Sequence, residues 1–207
     1  MFEVGSTVLT TLAAVAMAIA YVVGSRPSNS QRPVEDWESW AEDAHVLGEA
    51  TAADHVVLAA FMDFTCPYCR RAVPVLDSLK IKYGADLRIE FLHFPLDGHE
   101  FAMPAAVAAE CAAEQGRFRS MYDALFESFD SLGHVAWDAI AAGAGVPDHE
   151  SFVSCMERPP ETFLRIARGL TLGESAGVRG TPTLFIDGRM AGRRTVVDLS
   201  ERIDGAR

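Results

Sequence analysis

The sequence predicts an α/β fold in which one mixed sheet carries a large helical insertion. Three observations predict it. An apolar run at 55–64 reads as a central strand and leads directly into a helical segment, 67–83, and a second strand, 86–94. A short apolar run at 183–186 ends in Asp187-Gly188, a hairpin signal. Between them lie about 70 Ala-rich, helix-patterned residues, too many for a simple connection, so they must form a subdomain. A strand–helix–strand unit and a hairpin joined in this way close into a single sheet.

Taken in order, residues 7–23 carry no charge and are rich in Ala, Val and Leu. An all-round apolar helix of this kind reads as a membrane anchor or signal segment within 1–24, with Ala18-Ile19-Ala20 suited to cleavage and the anchor preferred. Residues 25–44 read as a linker, ending in a short amphipathic helix at 34–43 that holds Trp37 and Trp40. The strand at 55–64 has few polar residues, as a central strand does. Pro74 is expected to kink the helix at 67–83. In the second strand Leu87, Ile89 and Phe91 alternate with Arg88, Glu90 and Leu92. The helical insertion, about 100–168, is broken near Gly116, Gly133, 143–147 and Pro159-Pro160. Its Phe118, Met121, Tyr122, Leu125, Phe126 and Phe129 recur at helical spacing and read as core. A fourth strand ends near Thr195, and a helix at 196–203 follows.

The formal net charge of -11 argues against nucleic acid as a partner, because phosphate binding needs basic patches. Arg189, Arg193 and Arg194, the densest basic cluster, read as a solvated turn. Four cysteines behind an apolar leader suggest an oxidising compartment. Arg26 and Arg32, after the leader, would by the positive-inside rule favour the cytoplasm. Two arginines are the weaker signal of the two.

The chemistry concentrates in Cys66-Pro67-Tyr68-Cys69, at a strand-to-helix junction. The first turn of a helix presents unpaired N–H groups and the positive end of the dipole, and both favour a thiolate. Cys66 is therefore the expected nucleophile, exposed at the helix start, and Cys69 the buried resolving thiol one turn in. Pro67 fits the first turn, where its missing N–H costs nothing. A permanent staple is the weaker reading, since so short a loop restrains little chain. Structural zinc would need a second close pair, which Cys111 and Cys155 do not supply, so no metal or cofactor is called for. Arg70 and Arg71 read as solvated, and His93 and His99 show no ligand spacing.

The stretch Phe61-Met62-Asp63-Phe64-Thr65-Cys66-Pro67-Tyr68-Cys69-Arg70 resembles the active site of DsbA-like thiol–disulfide oxidoreductases. The stretch from Gly177 through Thr181-Pro182 to Gly188 is similar to their cis-proline loop, and 110–116 to their helical insertion. The resemblance covers 45–207 and implies a thioredoxin fold with an inserted helical domain, preceded here by the N-terminal apolar helix. It implies disulfide exchange at Cys66 and Cys69 in secreted proteins, with recycling by a membrane quinone-linked oxidant. Disulfide isomerase, reductase and non-catalytic peptide-binding readings stay open. Thr181 and Pro182 are the implied substrate contacts. Cys111 and Cys155 are implied to form a structural disulfide, with two buried free thiols as the alternative; closing that loop contributes on the order of 4 kcal/mol in the chain-entropy model.

Two positions depart from many relatives. Ala60 stands where they carry a buried acid on the first strand, which implies slow resolution of mixed disulfides. Asp63, on the opposite strand face, reads as a cap or a solvated residue. Tyr68 stands where strong oxidases carry histidine, and tyrosine cannot supply a positive charge beside the thiolate. Tyr68→His is therefore expected to make the couple more oxidising, measured by redox equilibration with glutathione; a shift toward a more reducing couple would contradict this role.

Overall fold

The structure, a computed structural model, describes residues 32–192 and 195–207. The expected leader at 1–24 lies outside the described residues, as do Arg193 and Arg194. Among the described residues no helix is long and apolar enough to cross a membrane.

Five strands form one sheet: β1 (His45–Gly48), β2 (Val56–Met62), β3 (Leu87–His93), β4 (Thr183–Ile186) and β5 (Arg189–Gly192), in the order β1-β3-β2-β4-β5. Strands β2 and β3 are parallel and all other neighbours antiparallel. The parallel pair requires a crossover, which the helix α1 (Pro67–Tyr83) provides. Strand β2 lies at the centre, with Ala60 opposite Phe91 on one side and Leu184 on the other.

Because side chains alternate across a strand, β2 feeds two separate cores. Leu58, Ala60 and Met62 join the larger one, with Leu76 and Leu79 of α1. Ala59 and Phe61 join the smaller one, with Trp40, Phe94 and Phe185. Covering both faces explains why Glu90 and Leu92 of β3 are buried along with Leu87, Ile89 and Phe91, contrary to a simple inside–outside alternation.

Several expectations need correction. Residues 34–43 do not act as linker: a 3₁₀ helix, Trp37–Glu42, lies on the sheet, with Trp40 edge-on to Phe61 and Phe185. Strand β1 was hidden because it is only four residues long and lies at the sheet edge. Pro74 lies inside helix α1, as the sequence places it. Arg189 belongs to β5 rather than to a turn. At the turn itself both Asp187 and Gly188 have positive φ, as a type I′ hairpin requires, and the Asp187 carboxylate accepts the Val57 N–H at 2.9 Å.

The insertion comprises α2 (Ala102–Ala113), α3 (Phe118–Glu127), α4 (Trp137–Gly143) and α5 (His149–Met156). Helix α2 is buried nearly all round, which its alanines permit. Phe118, Met121, Tyr122, Leu125 and Phe126 of α3 face the core, while Phe129 is half-buried under the Arg70 guanidinium. Cys111 of α2 and Cys155 of α5 are joined by a disulfide.

Helix α6 (Leu164–Ser175) returns the chain to the sheet and extends past the expected end at 168. It approaches β3 through two glycines one turn apart. A Cβ at Gly169 would stand 2.3 Å from the His93 carbonyl oxygen, and one at Gly173 2.5 Å from the Phe94 ring. The His93 oxygen is backbone and cannot step aside, so Gly169→Ala is expected to cost about 2 kcal/mol or more in urea unfolding.

Candidate active site

Where β2 ends, the chain turns through Asp63, Phe64 and Thr65 and enters α1 with Cys66 as the N-cap. Pro67 occupies the first turn. Cys66 and Cys69 are both free thiols. The peptide bond Thr181-Pro182 is cis and brings the Thr181 carbonyl over Cys66, whose Sγ–H donates to it at 3.3 Å. Covered in this way, Cys66 is 2% exposed, so the expectation of an exposed nucleophile is corrected. Cys69 is fully enclosed, and its sulfur accepts the Asp63 N–H at 3.4 Å.

The two sulfurs are driven apart in acidity. The Cys66 thiol is brought down to about 5, chiefly by the hydrogen bond from the Cys69 thiol. Burial opposes this, and donors at Thr181 and at the Cys69 and Tyr68 N–H groups add to it. The Thr181 hydroxyl is buried with no other partner among the described residues, which leaves it available to a thiolate at Cys66. Cys69 goes the other way. Burial pushes its thiol far up, and a charged Cys66 beside it adds to the shift. The pair is thus a thiolate poised against a proton-bearing thiol.

Beside this pair, Tyr68, Arg71, Ala72, Val75, Leu76, Pro182 and Leu184 line an apolar groove of about 160 Å³. Tyr68 is half exposed and its ring lies under the Arg71 guanidinium, 4.5 Å from the carbon. Arg70 is paired with Asp130 at 2.9 Å, and both side chains are exposed to solvent.

Two buried polar clusters escaped sequence reasoning. Asp63 is neither solvated nor a helix cap. Its carboxylate accepts from the Thr65 N–H and hydroxyl, both at 2.7 Å, from the Leu96 N–H at 3.2 Å and from His99 Nδ1 at 2.6 Å. His45 and His93 both hydrogen-bond one oxygen of Glu110, tying β1 and β3 to α2. Burial alone would raise the Glu110 carboxyl, but these two bonds outweigh it and hold it well below the usual carboxylate range. Burial lowers His45. The donor types could hold a metal ion, yet the carboxylate oxygen already serves both imidazoles and Arg165 lies 3.8 Å from its twin. No motif spacing marks either cluster, because each carboxylate meets its histidine from a different element.

The thioredoxin family model matches residues 41–205. The chain belongs to this family. It is similar to a thioredoxin-like oxidoreductase from Silicibacter pomeroyi DSS-3, with 29% identity and a TM-score of 0.66 over 79% of this chain and 92% of that one. It also shares its fold with the thiol-disulfide exchange protein alpha-DsbA2 from Wolbachia pipientis, with 20% identity and a TM-score of 0.60 over 77% and 86%. Among curated proteins it is 34% identical over 163 residues to the Na(+)/H(+) antiporter NhaA 1 of Mycolicibacterium vanbaalenii. That match covers 76% of this chain, which spans about a quarter of the antiporter's length, 24%.

The thiolate at Cys66 also sets a pH dependence. Between about 5 and the ordinary thiol value of 9.0, the unfolded chain keeps a proton at Cys66 that the folded, reduced chain has released. The stability of the reduced form is therefore expected to rise with pH across that window, and to lose this contribution as pH falls through about 5. Ultraviolet thiolate absorbance of the reduced protein should titrate with a midpoint near 5 and vanish in Cys66→Ser.

Proposed function

We propose that this DsbA-like protein is an extracytoplasmic oxidase that introduces disulfides into secreted proteins through Cys66 and Cys69. The observation that carries this reading is the Cys66 thiol brought down to about 5 beside a buried, proton-bearing Cys69. A thiol of low pKa is a good leaving group, so a disulfide involving Cys66 is readily passed on.

In the first step a substrate thiolate attacks the Cys66 sulfur of the Cys66–Cys69 disulfide. The S–S bond breaks and Cys69 departs as a thiolate that takes up a proton. A second substrate thiolate then attacks the substrate sulfur of the mixed disulfide and expels Cys66 as thiolate. The substrate is oxidised by two electrons and the protein reduced by two. A membrane quinone-linked thiol oxidant restores the disulfide.

The cis-proline loop and the groove beside it supply the substrate contacts in this reading. Thr181 offers main-chain groups to an extended peptide, while Tyr68, Val75 and Pro182 receive apolar side chains. Such a surface suits unfolded, cysteine-containing chains of varied sequence. Cys111–Cys155 serves as a structural bond within the insertion. The leader holds the protein at the membrane, outside the cytoplasm.

Trapping with an alkylating mass tag in cells tests the direction of exchange. Oxidised Cys66 and Cys69 at steady state are expected, and a reduced pair would assign the protein to isomerisation or reduction. Purified oxidised protein should also oxidise a dithiol peptide, with Cys66→Ser reducing turnover by at least about 10³-fold by loss of the nucleophile.

A further inference from the structure

Cys69 must carry negative charge at one moment of any exchange, whether it leaves the Cys66–Cys69 disulfide or attacks a mixed disulfide at Cys66. Its surroundings resist that charge: the sulfur is fully buried. Ala60 of β2 has no polar side-chain atom to offer. The N–H of Asp63, 3.4 Å from the sulfur, is a fixed donor that can meet the charge as it develops.

The direction of that N–H depends on the turn between β2 and α1, and the turn is held by the Asp63 side chain. Its carboxylate is fully buried and takes four donors. Two come from Thr65 within the turn. The other two, the Leu96 N–H and His99 Nδ1, come from the loop after β3. The Asp63 carbonyl meanwhile accepts the Cys66 N–H at 3.2 Å. One residue thus touches both halves of the dithiol through its backbone and is clamped from outside through its side chain. His99 is the part of the clamp that reaches solvent, with 30% of its side chain exposed. A buried carboxylate that loses such a donor is left unsatisfied and must move, draw in water or take up a proton.

We propose that His99 and Asp63 form a positioning pair for the resolving thiol, with His99 holding the Asp63 carboxylate so that the Asp63 N–H stays aimed at Cys69. The proposal rests on the reading of Cys66 and Cys69 as an exchanging dithiol. The step it governs is the one in which Cys69 gives up its proton to water and its thiolate attacks the Cys66 sulfur of a mixed disulfide. The bond to the bound thiol breaks, and that thiol leaves as thiolate and takes up a proton. By microscopic reversibility the same donor assists Cys69 as leaving group in the opposite direction.

The test uses the reduced full chain and glutathione disulfide, following formation of the Cys66–glutathione mixed disulfide and its resolution by Cys69 as separate rates. His99→Ala is expected to slow resolution about ten-fold or more, the loss of a well-aimed donor to a charge. Formation, in which Cys69 neither makes nor breaks a bond to sulfur, should be slowed far less, by about two-fold at most. His99→Asn, whose amide N–H can occupy the place of Nδ1–H, should restore most of the resolution rate. Thr65→Val removes a different donor from the same carboxylate and should slow resolution in the same direction, which keeps the test open should His99→Ala fail to fold. The proposal is overturned by resolution rates that His99→Ala and Thr65→Val leave unchanged. Equal slowing of both steps that His99→Asn does not relieve would overturn it as well. Failure of the wild-type chain to form any mixed disulfide would instead sink the exchange reading itself.

Discussion

A negative charge on one sulfur at the start of a helix is the condition on which this molecule depends. Cys66 can hold that charge chiefly because the Cys69 thiol donates to it, with the Cys69 and Tyr68 N–H groups, which have no helical partner at the N-cap, adding to the effect. The same placement puts Cys69 one turn deeper, in the core, where its proton is retained and can be shared with the thiolate. The contrast between a charged and a neutral thiol, three residues apart, arises from the hydrogen bond that Cys69 donates to Cys66 and from the burial that holds the proton on Cys69.

The rest of the fold maintains that depth. Strand β2 is buried on both faces, so its end, and the turn that follows, are fixed from several directions. Strand β4, its antiparallel neighbour, begins immediately after Pro182, which delivers the Thr181 carbonyl to Cys66. Helix α6 closes against β3 through Gly169 and Gly173, carrying the chain from the insertion back to that loop. The insertion is tied to the sheet by the histidine–glutamate cluster and braced within itself by the Cys111–Cys155 bond. These elements share packing rather than any direct role in chemistry, and the narrow approach of α6 shows how little slack they leave.

Much of the architecture could be read along the chain because it follows from local rules. The apolar run of β2, the proline-opened α1, the Asp187-Gly188 hairpin and the final helix each announce themselves by periodicity or turn chemistry, and the structure places them within one or two residues. The elements that escaped were those stabilised from elsewhere. Strand β1 is four residues long and exists because β3 offers an edge. The helix of Trp37–Glu42 was legible as a helix, but not its docking, in which Trp40 packs on a face made by Phe61 and Phe185, far along the sequence. The alternation in β3 failed as a guide because the second face is also covered, which depends on where α6 returns.

What the sequence alone determined is the pair of closely spaced sulfurs and the fold that carries them, since a Cys-Pro-Tyr-Cys at a strand-to-helix junction and a Thr-Pro ahead of a hairpin are local features with local causes. What only the tertiary structure decided is the environment of those atoms: Cys66 covered rather than open, Asp63 buried under four donors, His93 and His99 each joined to a carboxylate. The reason is distance along the chain. Asp63 meets His99 across 36 positions, and Glu110 meets His45 across 65. Contacts of that kind leave no period or spacing in the sequence, because they form only when separate strands and loops are brought to the same depth in one core.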